Sequence, residues 1–170
     1  MSRAYVSIAA LGMLFLALGM TDVAAESLPA PKGKVVLTLS GPLTETNGPG
    51  VATFDMEMLD ALPQHTIVTT SPWYKTPAEF RGPLLEDVLA RIGARGHAVM
   101  AHAINDYDVE IPAEDASRGL VLATRRDGKP MPLSDKGPIF AMYPFDSNPD
   151  LKKQVYFSRC VWELESLIVE

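Results

Sequence analysis

Residues 65–73, His-Thr-Ile-Val-Thr-Thr-Ser-Pro-Trp, bring three adjacent hydroxyls, Thr69, Thr70 and Ser71, up against Trp73. Three hydroxyls crowded against an indole can form the lip of an active site. The same residues also describe a plain strand, Thr66 to Thr70, running into a Ser-Pro turn. Alternation places Ile67 and Thr69 on one face of it and Val68 and Thr70 on the other.

Other chemistry-bearing residues are scattered. His97 and His102 lie on one expected strand at an odd separation, project from opposite faces and cannot chelate one ion; His65 is distant, and no His-x-His or Cys-x-x-Cys pair occurs. No metal ligands are therefore assigned. Asp106, Asp108 and Glu110 share a strand face, with Tyr107, Val109 and Ile111 on the other. Clustered carboxylates suit a hard cation or acid-base work, and the same alternation describes a half-exposed strand. Cys160, the single cysteine, shares parity with Tyr156, Trp162 and Leu164 on what reads as the last strand, while Arg159 points the other way, so a buried structural thiol is expected. Arg125, Arg126 and Lys129 surround an Asp127-Gly128 turn, a cluster able to hold an anion or simply to charge a hairpin tip. With no G-x-S-x-G elbow, P-loop or dinucleotide fingerprint present, no catalytic residue is assigned.

The elements that must carry these residues follow from pattern. After Arg3, an apolar run of about fifteen residues ends in Val23-Ala24-Ala25, the signature of a cleaved secretory signal over residues 1–25, too short for a stable membrane span. Residues 26–33, with two prolines, read as a flexible lead-in, and residues 34–170 as one domain. The net charge of −6 argues against nucleic acid and anionic membrane surfaces as partners. A β-rich run opens the domain, a Gly/Pro/Asn-rich turn or hairpin follows, and Asp55 caps a short helix with Phe54 placed to pack on Leu59. A short strand is expected near Glu79 to Arg81, then a helix from Pro83 whose stripe is Leu84, Leu85, Val88, Leu89 and Ile92, stopping at Gly93. The remainder reads as strands, the last spanning residues 155–169, which gives an α+β domain with a mixed or antiparallel sheet and a few short helices.

Five phrases add a resemblance: "FRGPLLEDVLARIGA", "NDYDVEIPAED", "LVLATRRDGKPM", "DKGPIFAMYPFD" and "SRCVWELESLIV". In order and spacing they resemble the oxidoreductase molybdopterin-binding domain, the sulfite-oxidase-like fold, and the opening of the domain is similar to its short exported members. The resemblance implies a sheet-rich domain that, in enzymes, cradles a molybdenum-pterin cofactor. It also implies that the metal is held by a cysteine four residues before a tryptophan. Here that tryptophan is Trp73 and the corresponding residue is Thr69, whose hydroxyl, protonated at neutral pH, is a poor substitute for a soft thiolate. Arg159 and Arg125 match positions where the family places cofactor-contacting cations, whereas Trp162 stands where a second cation is expected. The leader carries Arg3 but no twin arginine, which the export of a cofactor-loaded, folded enzyme requires.

The reading that follows is a periplasmic module that lacks the metal-ligand cysteine, is expected to carry no cofactor or, if any, molybdopterin, and binds a small anionic ligand or a protein partner. Thr69, Arg125 and Arg159 are its cofactor-site residues, and Thr70, Ser71 and Trp73 line the cleft. A molybdopterin-dependent oxidoreductase, or an accessory domain of a sensor or redox complex, is the alternative.

Overall fold

Val35–Ser40 (β1) and Val51–Asp55 (β2) pair antiparallel across the turn-rich segment between them, and buried Leu37, Leu39 and Phe54 supply their core face. The computed structural model describes residues 27–170, so the expected leader, 1–25, lies outside the described residues. Among the described residues no helix is long and apolar enough to cross a membrane. The segment expected to be a flexible lead-in is held at specific points: Leu28 is buried, Asn47 donates to the Pro29 carbonyl, and the amides of Lys32 and Gly33 donate to Asp55 at 2.7 Å.

Asp55 also caps Met56–Asp60 (α1), accepting from the Met58 amide at 2.9 Å, and Phe54 and Leu59 are both buried beside it. His65–Ser71 (β3) and Tyr74–Gly82 (β4) form the next hairpin; β4 is longer than the short strand expected because it pairs with β3 along its length. Gly82 is required here, since a Cβ at this position would run into the Leu122 carbonyl oxygen. Leu85–Arg91 (α2) follows, its buried Leu85 and Val88 facing the core. Ala98–Ala103 (β5) and Asp108–Pro112 (β6) make a third hairpin, with Ala113–Ala116 (α3) immediately after.

The run from Leu120 divides. Val121–Ala123 (β7) pairs with Phe140–Met142 (β10), whereas Arg125–Arg126 (β8) pairs with β4 and with Lys129–Pro130 (β9). Asp127 and Gly128 close the β8–β9 hairpin with φ of 49° and 75°, the two positive values a tight hairpin turn needs. The last run is not a single strand. Gln154–Ser158 is a helix (α4), Cys160 to Glu163 is mostly irregular, and only Leu164–Val169 (β11) enters a sheet. A helix lets the adjacent residues Tyr156 and Phe157 pack together on Tyr143 and Phe145, with ring centroids 5.5 and 4.8 Å apart; a strand would send them to opposite faces. The strand parity expected for Cys160 therefore does not apply, although the thiol is buried.

The main sheet runs β2-β1-β11-β5-β6, with β1 and β11 parallel and the other pairs antiparallel; a second sheet runs β3-β4-β8-β9, and β10-β7 is a two-stranded ribbon. This is the α+β, mixed and antiparallel, sheet-rich architecture with short helices that the sequence predicts. Phe80, Phe140, Tyr143, Phe145 and Leu164 are buried among the layers.

Candidate functional site

The β3–β4 hairpin turns in two residues: Ser71 pairs with Tyr74, leaving Pro72 and Trp73 at the tip. Trp73 reaches back to the core, its ring 5.5 Å from Phe140 and 5.8 Å from Trp162 in edge contacts. Beside it lies a hollow of about 300 Å³ walled by Pro72, Trp73, Tyr107, Phe157, Cys160 and Trp162. Tyr107 is fixed as a wall because its hydroxyl donates to the Ser158 carbonyl at 2.7 Å. A second hollow of about 170 Å³, with Thr70, Ser71 and Lys152 in its lining, shares Pro72 and Phe157 with the first.

Parity along β3 holds: Thr69 is buried, and Val68 and Thr70 are exposed. The Thr69 hydroxyl is already used, donating to the Thr70 carbonyl at 3.1 Å and accepting from the Asp146 amide at 3.2 Å. Thr70 is bound to the same loop, its amide and hydroxyl each donating to the Asp146 carboxylate at 2.7 Å. Lys152 pairs with Asp146 at 2.7 Å. The Ser71 hydroxyl oxygen is buried and, among the described residues, has no hydrogen-bond partner.

The two arginines singled out from sequence lie elsewhere, each with a carboxylate of its own. Arg125 makes a two-pronged contact with Asp60 at 2.6 and 2.8 Å. Arg159 donates to Asp115 at 2.7 Å, and Asp115, almost wholly buried, also accepts from the Tyr143 hydroxyl at 2.9 Å. Arg118 Nε stands 3.1 Å from the other Asp115 oxygen, within ion-pair reach but poorly aligned for a hydrogen bond. Of the six residues singled out, Thr70, Ser71 and Trp73 line one or other of the two hollows, and Thr69, Arg125 and Arg159 are in neither lining. Tyr107, Phe157 and Lys152 complete the cleft without a local sequence signal, being brought in from the β5–β6 turn and from α4 and its approach. His65 and His102 each meet one carboxylate, Asp87 at 3.2 Å and Asp108 at 2.6 Å.

The model of the oxidoreductase molybdopterin binding domain matches residues 47–145. The chain belongs to this family. Among solved structures, the sulfane dehydrogenase SoxCD from Paracoccus pantotrophus is similar at a TM-score of 0.59 and 16% identity. The match covers 78% of this chain and 37% of the dehydrogenase chain, so the likeness is one of fold. No curated protein matches the chain.

The described residues of this molybdopterin-binding-family domain do not suit a thiolate-held metal. Thr69 offers a hydroxyl already spent on the backbone, and burial pushes the Cys160 thiol up to about 12, so it stays protonated at neutral pH. Among the described residues no group of three or more His, Cys, Asp or Glu gathers as a metal site. A pterin phosphate would also have to compete with Asp60 and Asp115 for Arg125 and Arg159.

The internal pairing has a pH consequence. Backbone amides from Gly33 and Met58 hold Asp55 below the usual carboxylate range, the Arg125 hydrogen bond does the same for Asp60, and Lys152 with Thr70 brings Asp146 to about 2. Folded values below unfolded ones mean stability that is fully present above the unfolded carboxylate value of about 3.9 and lost as pH falls through the folded values. Asp146, well exposed, contributes the smallest share. Urea midpoints measured by circular dichroism should rise slightly from neutral pH to about 5, because the Asp108 hydrogen bond raises the His102 pKa in the folded state, and fall steeply below about 4. A midpoint unchanged down to about pH 2 would contradict the assignment.

Proposed function

We propose that this chain is an exported, periplasmic member of the family that has lost molybdenum catalysis and uses the cleft at the β3–β4 tip to bind a small ligand or a partner side chain. The reading takes Thr69 as the residue standing where the family's enzymes carry the metal-binding cysteine. One observation carries it: the Thr69 hydroxyl is tied to the Thr70 carbonyl and the Asp146 amide, so the strand end is stitched to the 143–146 loop rather than left open for a metal. The adjoining hollow is aromatic, a surface for stacking and burial rather than for redox chemistry. The cofactor would have to supply all of the oxygen-atom or electron chemistry in an enzyme of this kind, and the Thr69 hydroxyl, spent on the backbone, offers it no thiolate.

The test is to purify the protein from its native compartment and assay molybdenum by mass spectrometry and pterin by fluorescence after oxidation. Neither is expected in more than trace amount. Near-stoichiometric amounts of both would sink the binding reading and leave a molybdopterin-dependent oxidoreductase. Recovery of the chain in the cytoplasmic rather than the periplasmic fraction would overturn the export part alone.

A further inference from the structure

The two hollows, which share Pro72 and Phe157, differ in chemistry. The larger presents four rings from separate parts of the chain, Trp73, Tyr107, Phe157 and Trp162, and among the described residues no charged side chain lines it. Trp73 is braced by Phe140 and Trp162 and Tyr107 by Ser158, so the walls are set before a ligand arrives. Such a slot suits a flat apolar body. The smaller hollow has one charged lining residue, Lys152, together with Ser71, whose buried hydroxyl oxygen lacks a partner among the described residues. A buried hydroxyl left without a partner is unfavourable until an acceptor reaches it.

Lys152 is positioned to serve the same acceptor. Its ammonium has three donors, and Asp146 Oδ1 at 2.7 Å accounts for one. Asp146 is in turn satisfied by the Thr70 amide and hydroxyl, which fixes the ammonium beside the hollow. The arginines that sequence favoured as anion holders, Arg125 and Arg159, are committed to Asp60 and Asp115 outside both linings. An anion entering the cleft therefore meets Lys152 and Ser71.

We infer that the cleft takes a small carboxylate carried on an aromatic body, the ring between Trp73, Phe157 and Trp162 and the carboxylate on Lys152 and the Ser71 hydroxyl. The inference rests on the binding-module reading above and names the ligand class of that site.

Trp73 and Trp162 are the two tryptophans of the chain, and both wall the cleft, so intrinsic fluorescence reports on it directly. The purified chain is titrated with 3-phenylpropionate and with its matched amide and amine, and with propionate, which has no ring. Only 3-phenylpropionate should give a saturable change at millimolar concentration, with the others at least about tenfold weaker. Lys152→Met keeps the aliphatic stem and should weaken the carboxylate about tenfold while leaving the amide unchanged. Ser71→Ala should weaken it several-fold, with circular dichroism confirming that both variants fold. Equal binding of the amine and the carboxylate, an unchanged titration in Lys152→Met, or no saturable response overturns the inference. If Lys152→Met does not fold, the acid, amide and amine comparison in the natural chain decides alone. Molybdenum and pterin in the native protein would remove the underlying reading whatever the probes do. Probe failure in metal-free and pterin-free protein removes only the carboxylate assignment.

Discussion

Replacing Asp115 with alanine should cost about 3 kcal/mol of folding stability, the lower end of what breaking a buried ion pair costs. The carboxylate is almost wholly buried and serves three partners at once: Arg159 at 2.7 Å, the Tyr143 hydroxyl at 2.9 Å and Arg118 at 3.1 Å. Its loss strands the Tyr143 hydroxyl in the core, where burial and the neighbouring Asp115 charge already push the phenol far above its usual range. It also leaves the Arg159 guanidinium, 19% exposed, without its counter-charge. Arg118 is more exposed and can turn to water, which is why the lower end applies. For a domain of this size the loss corresponds to a fall in Tm of roughly 10 °C. Asp115→Asn retains acceptors and should cost less. A Tm within about 2 °C of the natural chain for Asp115→Ala would show that the cluster is not the structural tie described.

This cluster also marks the limit of what the sequence discloses. Features that depend on neighbours in the chain were legible: the Asp55 cap, the Phe54 and Leu59 packing, the Asp127-Gly128 turn, and the alternation that buries Thr69 while exposing Val68 and Thr70. The opening hairpin and the α2 stripe belong to the same class, since propensity and periodicity act over a few residues. Arg125 and Arg159 were singled out as anion holders, and in the structure each pairs with a carboxylate of the chain, Asp60 and Asp115. Their partners lie 65 and 44 residues away, and Thr70 meets Asp146 across 76. No local pattern encodes a pairing at that distance, so a cation's internal counter-charge is visible only once the sheets are assembled.

The α4 region failed for a different reason. The segment Val155-Tyr156-Phe157 has the β-branched and aromatic composition of a strand, and its isolated preference is for one. Two adjacent rings finding Tyr143 and Phe145 on one side override that preference. The consequence reaches the site. As a helix, α4 carries Phe157 into the wall that Trp73 shares and leaves Cys160 in the lining, where burial keeps the thiol protonated. The resemblance to the molybdopterin-binding family pointed to this hairpin tip, and the hollow beside it is built partly from a helix that the sequence did not announce.

Phe140→Ala should cost about 4 kcal/mol, within the range for deleting a buried phenyl ring. Phe140 is fully buried, pairs with Ala123 in the β10–β7 ribbon, and bridges to Trp162 through its backbone. Its ring meets Trp73 at 5.5 Å, Phe80 at 6.0 Å and Trp162 at 6.2 Å, each edge-on. Large rings held by three separate strands and loops cannot close over the vacated space, so little of the cavity energy is recovered. The two tryptophans then lose the surface that braces them, and the effect passes from the core to the cleft. Urea unfolding should show the loss of stability, and tryptophan emission from the folded variant should shift to the red as both indoles gain water. Phe140→Leu fills most of the volume and should cost roughly 1 to 1.5 kcal/mol with a smaller spectral shift. A variant that lost stability while keeping the natural emission spectrum would separate the core from the cleft, against the packing that places Phe140 behind both walls.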